Sequence, residues 1–150
     1  MSILIHKSHN VSVLIYHLVC AGKGRAKWFD ASVETEIKNI CNEISQLHEI
    51  HFLDIGTDKD HVHFLIQSVP MYSPTKIARV VKSLTAREIL TRIPGIRTKL
   101  WGGEFWSNGY YINTVSRRGS ESTIQKYVKS QGNNNYKMLH KNQLRLFPFV

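Results

Sequence analysis

Apolar positions recur along this chain with two different periods, and each period marks a different element. From Val11 to Cys20 the run VSVLIYHLVC is almost continuously apolar and rich in β-branched residues, as in a buried strand. Ile37, Ile40, Cys41, Ile44 and Leu47 then return every three or four residues, which is the spacing of one helix face. Asp30 or Ser32 caps that helix, and Glu34 and Glu36 put negative charge beside its unpaired N-terminal N–H groups. His51 to Ile55 and His61 to Val69 read as two strands, with Gly56, Asp58 and Asp60 suiting a hairpin between them. Ser73-Pro74 combines a cap residue with a first-turn proline, and opens a second helix. Ile77, Val80, Val81, Leu84 and Ile89 supply its buried stripe, and Pro94-Gly95 ends it. Phe105 to Val115, aromatic and β-branched, is a fourth strand. Gly119-Ser120 opens a third helix with Ile124 and Val128 as its apolar pair and Gly132 as its terminator. The Asn133–Asn135 run is a break, and the tail to Val150 is a short helix docked elsewhere.

The predicted order is β-α-β-β-α-β-α. Two helices against four antiparallel strands give an α+β, ferredoxin-like (split βαβ) sheet with helices on one face, followed by an additional C-terminal helix. The other face is expected to be free, a surface on which many such domains hold nucleic acid. A chain of 150 residues fits a single domain, 1–150, large enough to bury a core.

Charge narrows the partners. Lys and Arg number 20 against 11 Asp and Glu, a net +9. Such a surplus points to a polyanion, nucleic acid before an acidic membrane, unless the protein is simply basic. Lys76, Arg79, Lys82 and Arg87 leave one side of the second helix basic, and Arg117 and Arg118 precede the third; these are candidate phosphate contacts, or else a solvated face. Cys20 and Cys41 lie in apolar runs without CxxC spacing and read as reduced core residues of a cytoplasmic protein. No stretch near the N-terminus resembles a signal peptide or membrane span, and no Walker-type loop calls for a nucleotide cofactor.

Two constellations could carry chemistry. His61-Val62-His63 lies on a strand, so both imidazoles point to one side while Val62, Phe64 and Ile66 point to the helix-covered side. Two imidazoles so placed can share a metal ion, or they are two surface histidines on a half-exposed strand. Tyr127 and Gln131 stand four apart on the third helix, away from Ile124 and Val128. By themselves they also fit an amphipathic helix with a half-buried tyrosine. The rings of Trp101, Phe105, Trp106, Tyr110 and Tyr111 are either core or a base-stacking platform. Phosphoryl transfer on DNA would unite these parts. A metal polarises the phosphate, and a tyrosine, with a reference pKa of about 10, attacks once oriented and deprotonated.

In this order the motifs resemble those of the single-tyrosine HUH transposases (TnpA-like) encoded by the smallest bacterial insertion sequences. His61-Val62-His63 matches the His-hydrophobe-His motif, and Tyr127 with Gln131 matches the catalytic Tyr with its Gln four later. Leu100 to Tyr111 matches the family's Leu-Trp-Gly…Phe-Trp-Ser-x-Gly-Tyr-Tyr stretch, Tyr16 to Val19 the Tyr-His-Leu-Val strand, and Ser73 the Ser-Pro helix start. After that strand many members continue with an aromatic residue and Pro-Lys-Tyr-Arg, where this chain has Cys20-Ala21-Gly22-Lys23-Gly24-Arg25. The departure bears on DNA contacts of that loop rather than on the catalytic set.

The resemblance implies a transposase that cleaves and rejoins single-stranded, hairpin-forming ends of an insertion sequence. It implies Tyr127 as nucleophile, a 5′-phosphotyrosine intermediate, and Mg2+ or Mn2+ held by His61, His63 and Gln131. It also implies a homodimer in which the histidines of one subunit work in trans with Tyr127 of the other, a swap for which Gly119 is a candidate hinge. Two other readings share the sequence features: a related HUH nuclease that processes DNA hairpins, and a non-catalytic nucleic-acid-binding ferredoxin-like module. Histidine-triad hydrolases fit poorly, because Leu65 occupies the third alternating position.

Overall fold

The computed structural model describes residues 4–23, 30–100 and 103–115, together with the backbone of 136–137. A small hairpin pairs β1 (Ile5–His6) with β2 (Val11–Ser12). The main sheet is built from β3 (Leu14–Ala21), β4 (Ile50–Thr57), β5 (His61–Ser68), β6 (Tyr111–Val115) and β7 (Tyr136–Lys137), in the order β6-β3-β5-β4-β7. Every neighbouring pair is antiparallel. With α1 (Ala31–Leu47) and α2 (Pro74–Arg92) as the connections, the first four strands of this sheet reproduce the ferredoxin-like arrangement expected from the sequence.

Local chemistry explains where the helices begin. The Asp30 carboxylate accepts from the Val33 N–H at 3.0 Å, and Ser32 donates to the same carboxylate at 2.7 Å, so both candidate cap residues act together. Ser73 accepts from the Lys76 N–H at 3.0 Å, with Pro74 in the first turn. Both helices lie on one face of the sheet. Val33, Ile37, Ile40, Ile44, Ile77, Val81 and Ile89 meet Leu18, Phe52, Ile55, Val62, Phe64 and Ile66 in one apolar core. Each of these large side chains contributes about 1.5–3 kcal/mol by leaving water. Cys20 and Cys41 are unpaired thiols inside that core, and burial pushes the Cys20 thiol up to about 12, so it stays protonated.

Several expectations need correction. The first apolar run is two strands, because Val11–Ser12 turns away to pair with β1 and only Leu14–Ala21 enters the main sheet. Leu47 is exposed: α1 ends there and the chain re-enters the sheet at Ile50, so Val33 closes the buried stripe instead. Ladder pairing of the fourth strand begins at Tyr111, after the exposed Asn108-Gly109 step; upstream, Trp106 makes a single bridge to Gly22. The sheet has a fifth strand, since Tyr136–Lys137 pairs with Ile55–Gly56 where a break and a detached tail were expected.

The second face of the sheet is not free. Strand alternation places Ile15, His17, His63, Leu65 and Gln67 on it, and all five are buried. Ile15 and Leu65 make this face apolar enough that exposing it to water would be unfavourable. The polar groups among them are therefore held in a low-dielectric setting, which shapes their chemistry.

Candidate functional site

His61 and His63 occupy neighbouring same-side positions at the start of β5, opposite Ala21 and Val19 of β3. Their ring centroids are 6.5 Å apart. The Nδ1 atom of His61 faces the Asp60 carboxylate. That of His63 is hydrogen-bonded to His17 Nε2 at 3.0 Å. Both contacts engage Nδ1 and fix the ring orientation, so Nε2 is the nitrogen through which either imidazole could ligate a metal.

His17 belongs to this site although His-x-His spacing does not reveal it. Its ring stacks on His63 with centroids 5.2 Å apart and planes 7° from parallel. Asn113 of β6, paired with His17 across the sheet, hydrogen-bonds its side chain. An Asn113–His17–His63 chain therefore crosses three strands. Burial lowers the pKa of both rings to about 4; Asn113 partly offsets this at His17, while His17 and His61 reinforce it at His63. Both are neutral at physiological pH, the form that ligates a metal. The available signal was a polar residue at the centre of an otherwise apolar strand, on the same side as the His pair by alternation.

Beside His61 a cleft of about 300 Å3 opens, lined also by Val19, Ala21, Ser107, Tyr110 and Tyr111. The loop forming its wall is pinned at several points. Trp106 is buried and donates its indole N–H to Thr85 of α2 at 2.9 Å. Ser107 donates its backbone N–H to Ala21 and its hydroxyl to Gly22. The Lys82 ammonium donates to the carbonyls of Ser107, Asn108 and Gly109 at 2.8, 2.9 and 3.1 Å.

Lys82, expected from the sequence as a candidate phosphate contact, is turned toward the loop. An ammonium has three donors, and here the loop takes all three. Lys76 lies over the Tyr72 ring at 4.2 Å with its side chain exposed, and Arg79 and Arg87 are exposed on α2. Tyr127, Gln131, Arg117, Arg118 and the hinge Gly119 lie outside the described residues. Among the described residues no group of three His, Cys, Asp or Glu side chains is arranged to hold a metal. No described helix is long and apolar enough to cross a membrane.

Comparison with known proteins converges on one family. Residues 10–131 match the family described as "Transposase IS200 like". The ISDra2 transposase TnpA of Deinococcus radiodurans is 31% identical over 118 residues, covering 79% of this chain and 84% of that protein. The transposase for insertion sequence element IS200 of Salmonella typhimurium is 26% identical over 116 residues, covering 77% and 75%. Among solved structures, a crystal structure assigned as a transposase from Deinococcus radiodurans R1 superposes with a TM-score of 0.69 at 26% identity, covering 85% of this chain and 98% of that one. A REP-associated tyrosine transposase bound to a REP hairpin has the same fold, with a TM-score of 0.52 at 8% identity over 84% and 68% of the two chains.

Proposed function

The chain belongs to the IS200-like transposase family and is a DNA transposase, and from that premise we propose that it cuts and rejoins single-stranded ends of an insertion sequence with Tyr127 as nucleophile. The observation that carries this reading is the histidine centre. His61 and His63 share one side of β5, His63 is buried and neutral, and each ring is held through Nδ1. Such a donor set fits a divalent ion, and Gln131 supplies the third protein ligand. The chemistry that Mg2+ or Mn2+ contributes when bound is polarisation of the scissile phosphate.

The protein's own steps follow from the tyrosine. Tyr127, deprotonated as it attacks, forms an Oη–P bond while the P–O3′ bond breaks and a 3′-hydroxyl leaves with a proton. The product is a 5′-phosphotyrosine. One phosphodiester is exchanged for another, so the reverse attack by a DNA 3′-hydroxyl rejoins strands without a nucleotide cofactor.

Residues 1–150 act as one domain in this reading, and the active unit is a homodimer. The histidines of one subunit meet Tyr127 of the other, with Gly119 as the hinge; exchange of such an element is a low-cost route to a dimer. The substrate is a hairpin-forming single strand, in keeping with the hairpin held by the REP-associated protein of the same fold. Exposed Lys76, Arg79 and Arg87, with Arg117 and Arg118, contact its phosphates.

The test is cleavage of single-stranded copies of the DNA flanking this gene, with Mn2+ or with EDTA. Wild type cuts only with metal, and Tyr127→Phe binds the strand without cutting it. His61→Ala and His63→Ala lose cutting, and Gln131→Ala is milder because water can replace a neutral oxygen ligand. Cutting that persists in EDTA or in Tyr127→Phe would exclude this reading.

A further inference from the structure

The aromatic pair Tyr110-Tyr111 is not used by the metal-and-tyrosine chemistry, yet it stands beside it. Both rings are exposed, at 42% and 57%, at and just before the start of β6, next to the buried His17 and His63. They form one wall of the cleft whose other wall includes His61. The Tyr111 ring meets His17 edge-on with centroids 6.3 Å apart, so the cleft adjoins the Asn113–His17–His63 chain. Its volume of about 300 Å3 is at the lower end for ligand sites, room for one flat ring system and its sugar but not for a duplex.

The wall is built rigidly. Its loop is fixed to β3 through Ser107, to α2 through Trp106, and to Lys82 through three carbonyls. Lys82 also approaches the Tyr110 ring at 5.7 Å. Rings presented by an already ordered loop lose little freedom when something stacks on them. Aromatic faces of this kind accept any unpaired base, because every base has a π-face.

We propose that this cleft binds one unpaired nucleobase of the DNA strand whose phosphate is presented to His61, and that Lys82 is the positioning residue for the wall on which that base stacks. The inference rests on the transposase reading above and adds a base subsite to it. The occupied position is a nucleotide immediately beside the scissile phosphate, since the cleft begins at His61 itself. Base identity matters little there, whereas the presence of a base matters much.

The experiment uses the full chain and the same flanking single strands, with an abasic nucleotide placed in turn at each position around the mapped cut. With wild type, one abasic position next to the cut lowers kcat/KM by about tenfold. Tyr110→Ala or Tyr111→Ala cuts the intact strand about that much more slowly and no longer distinguishes it from the abasic strand. Tyr110→Phe and Tyr111→Phe keep the distinction, because stacking needs the ring and not the hydroxyl. Lys82→Met loses the distinction, and Lys82→Arg, which can still donate to the carbonyls, regains it. A general loss of stability in Lys82→Met would lower both rates and leave their ratio unchanged. If wild type cuts the strand but no abasic position responds to the tyrosine variants, the subsite is wrong and the transposase reading stands. If wild type neither cuts nor becomes joined to any strand, both fail together.

Discussion

A neutral imidazole can ligate a metal and an imidazolium cannot, and burial holds His17 and His63 in the neutral form. With both pKa values lowered to about 4, the unfolded chain binds more protons than the folded one between about pH 4 and 6.5. These two residues therefore make metal-free stability rise with pH across that window and level off above it. Asp54, buried in β4, works in the opposite sense. Desolvation raises its pKa to about 7, against an accepted bond from the Ile55 N–H and the charge of Lys38. The folded state then holds a proton that the unfolded state has released, and stability falls between about pH 4 and 7. Asp54→Asn keeps the acceptor and removes that fall, so its melting temperature should exceed that of wild type by several degrees at pH 8 and match it near pH 4. Equal melting temperatures at pH 8 would show that burial does not raise the Asp54 pKa. His17 is tested separately. His17→Phe retains a ring against His63 but loses the bond to its Nδ1, and Mn2+ affinity measured by calorimetry should drop by about 10–100-fold. An unchanged affinity would mean that His63 needs no such support.

At the scale of elements, what could be read from the sequence was what neighbours along the chain decide. Asp30 and Ser73 place the helix starts by accepting from N–H groups three positions on, and Pro74 adds its fixed φ to the first turn. Strand alternation correctly put Val62, Phe64 and Ile66 under the helices and the histidine pair on the other side. What escaped depends on partners distant in sequence. A two-residue strand after an asparagine run has no pattern of its own, and Tyr136–Lys137 is a strand only because the β4 edge accepts it. Lys82 looked like its basic neighbours on α2, and only the fold brings the 107–109 carbonyls to it. His17 gave one local sign, a histidine amid apolar residues, but its partner His63 is 46 positions away. The Trp106–Thr85 bond belongs to the same class and is a measurable tie between the cleft loop and α2. Thr85→Val is nearly isosteric and leaves the buried indole N–H without its acceptor, so urea unfolding should report a loss of about 1–3 kcal/mol. A change within experimental error would show that this tie does not hold the loop.

For the whole molecule, the histidine centre is built by the sheet, and the proposed nucleophile, Tyr127, follows β6 in the sequence. A +9 chain suits a polyanionic strand, and that net charge should make binding steeply salt-dependent. Sharing of sites between subunits is testable by complementation. Mixed dimers of a His61→Ala/His63→Ala chain with a Tyr127→Phe chain should regain one complete site, and the DNA should become joined to the chain that lacks the histidines. Mixed dimers that form but stay inactive would place each site within one chain. The most direct measurement of the central claim is the position of the covalent bond. Wild-type protein is incubated with a single-stranded flank and Mn2+, digested, and the nucleotide-bearing peptide sequenced by mass spectrometry. The account predicts a 5′-phosphate ester on Tyr127, released DNA ending in a 3′-hydroxyl, and neither product in EDTA. Cleavage without any adduct, or an adduct on a tyrosine other than Tyr127, would contradict it.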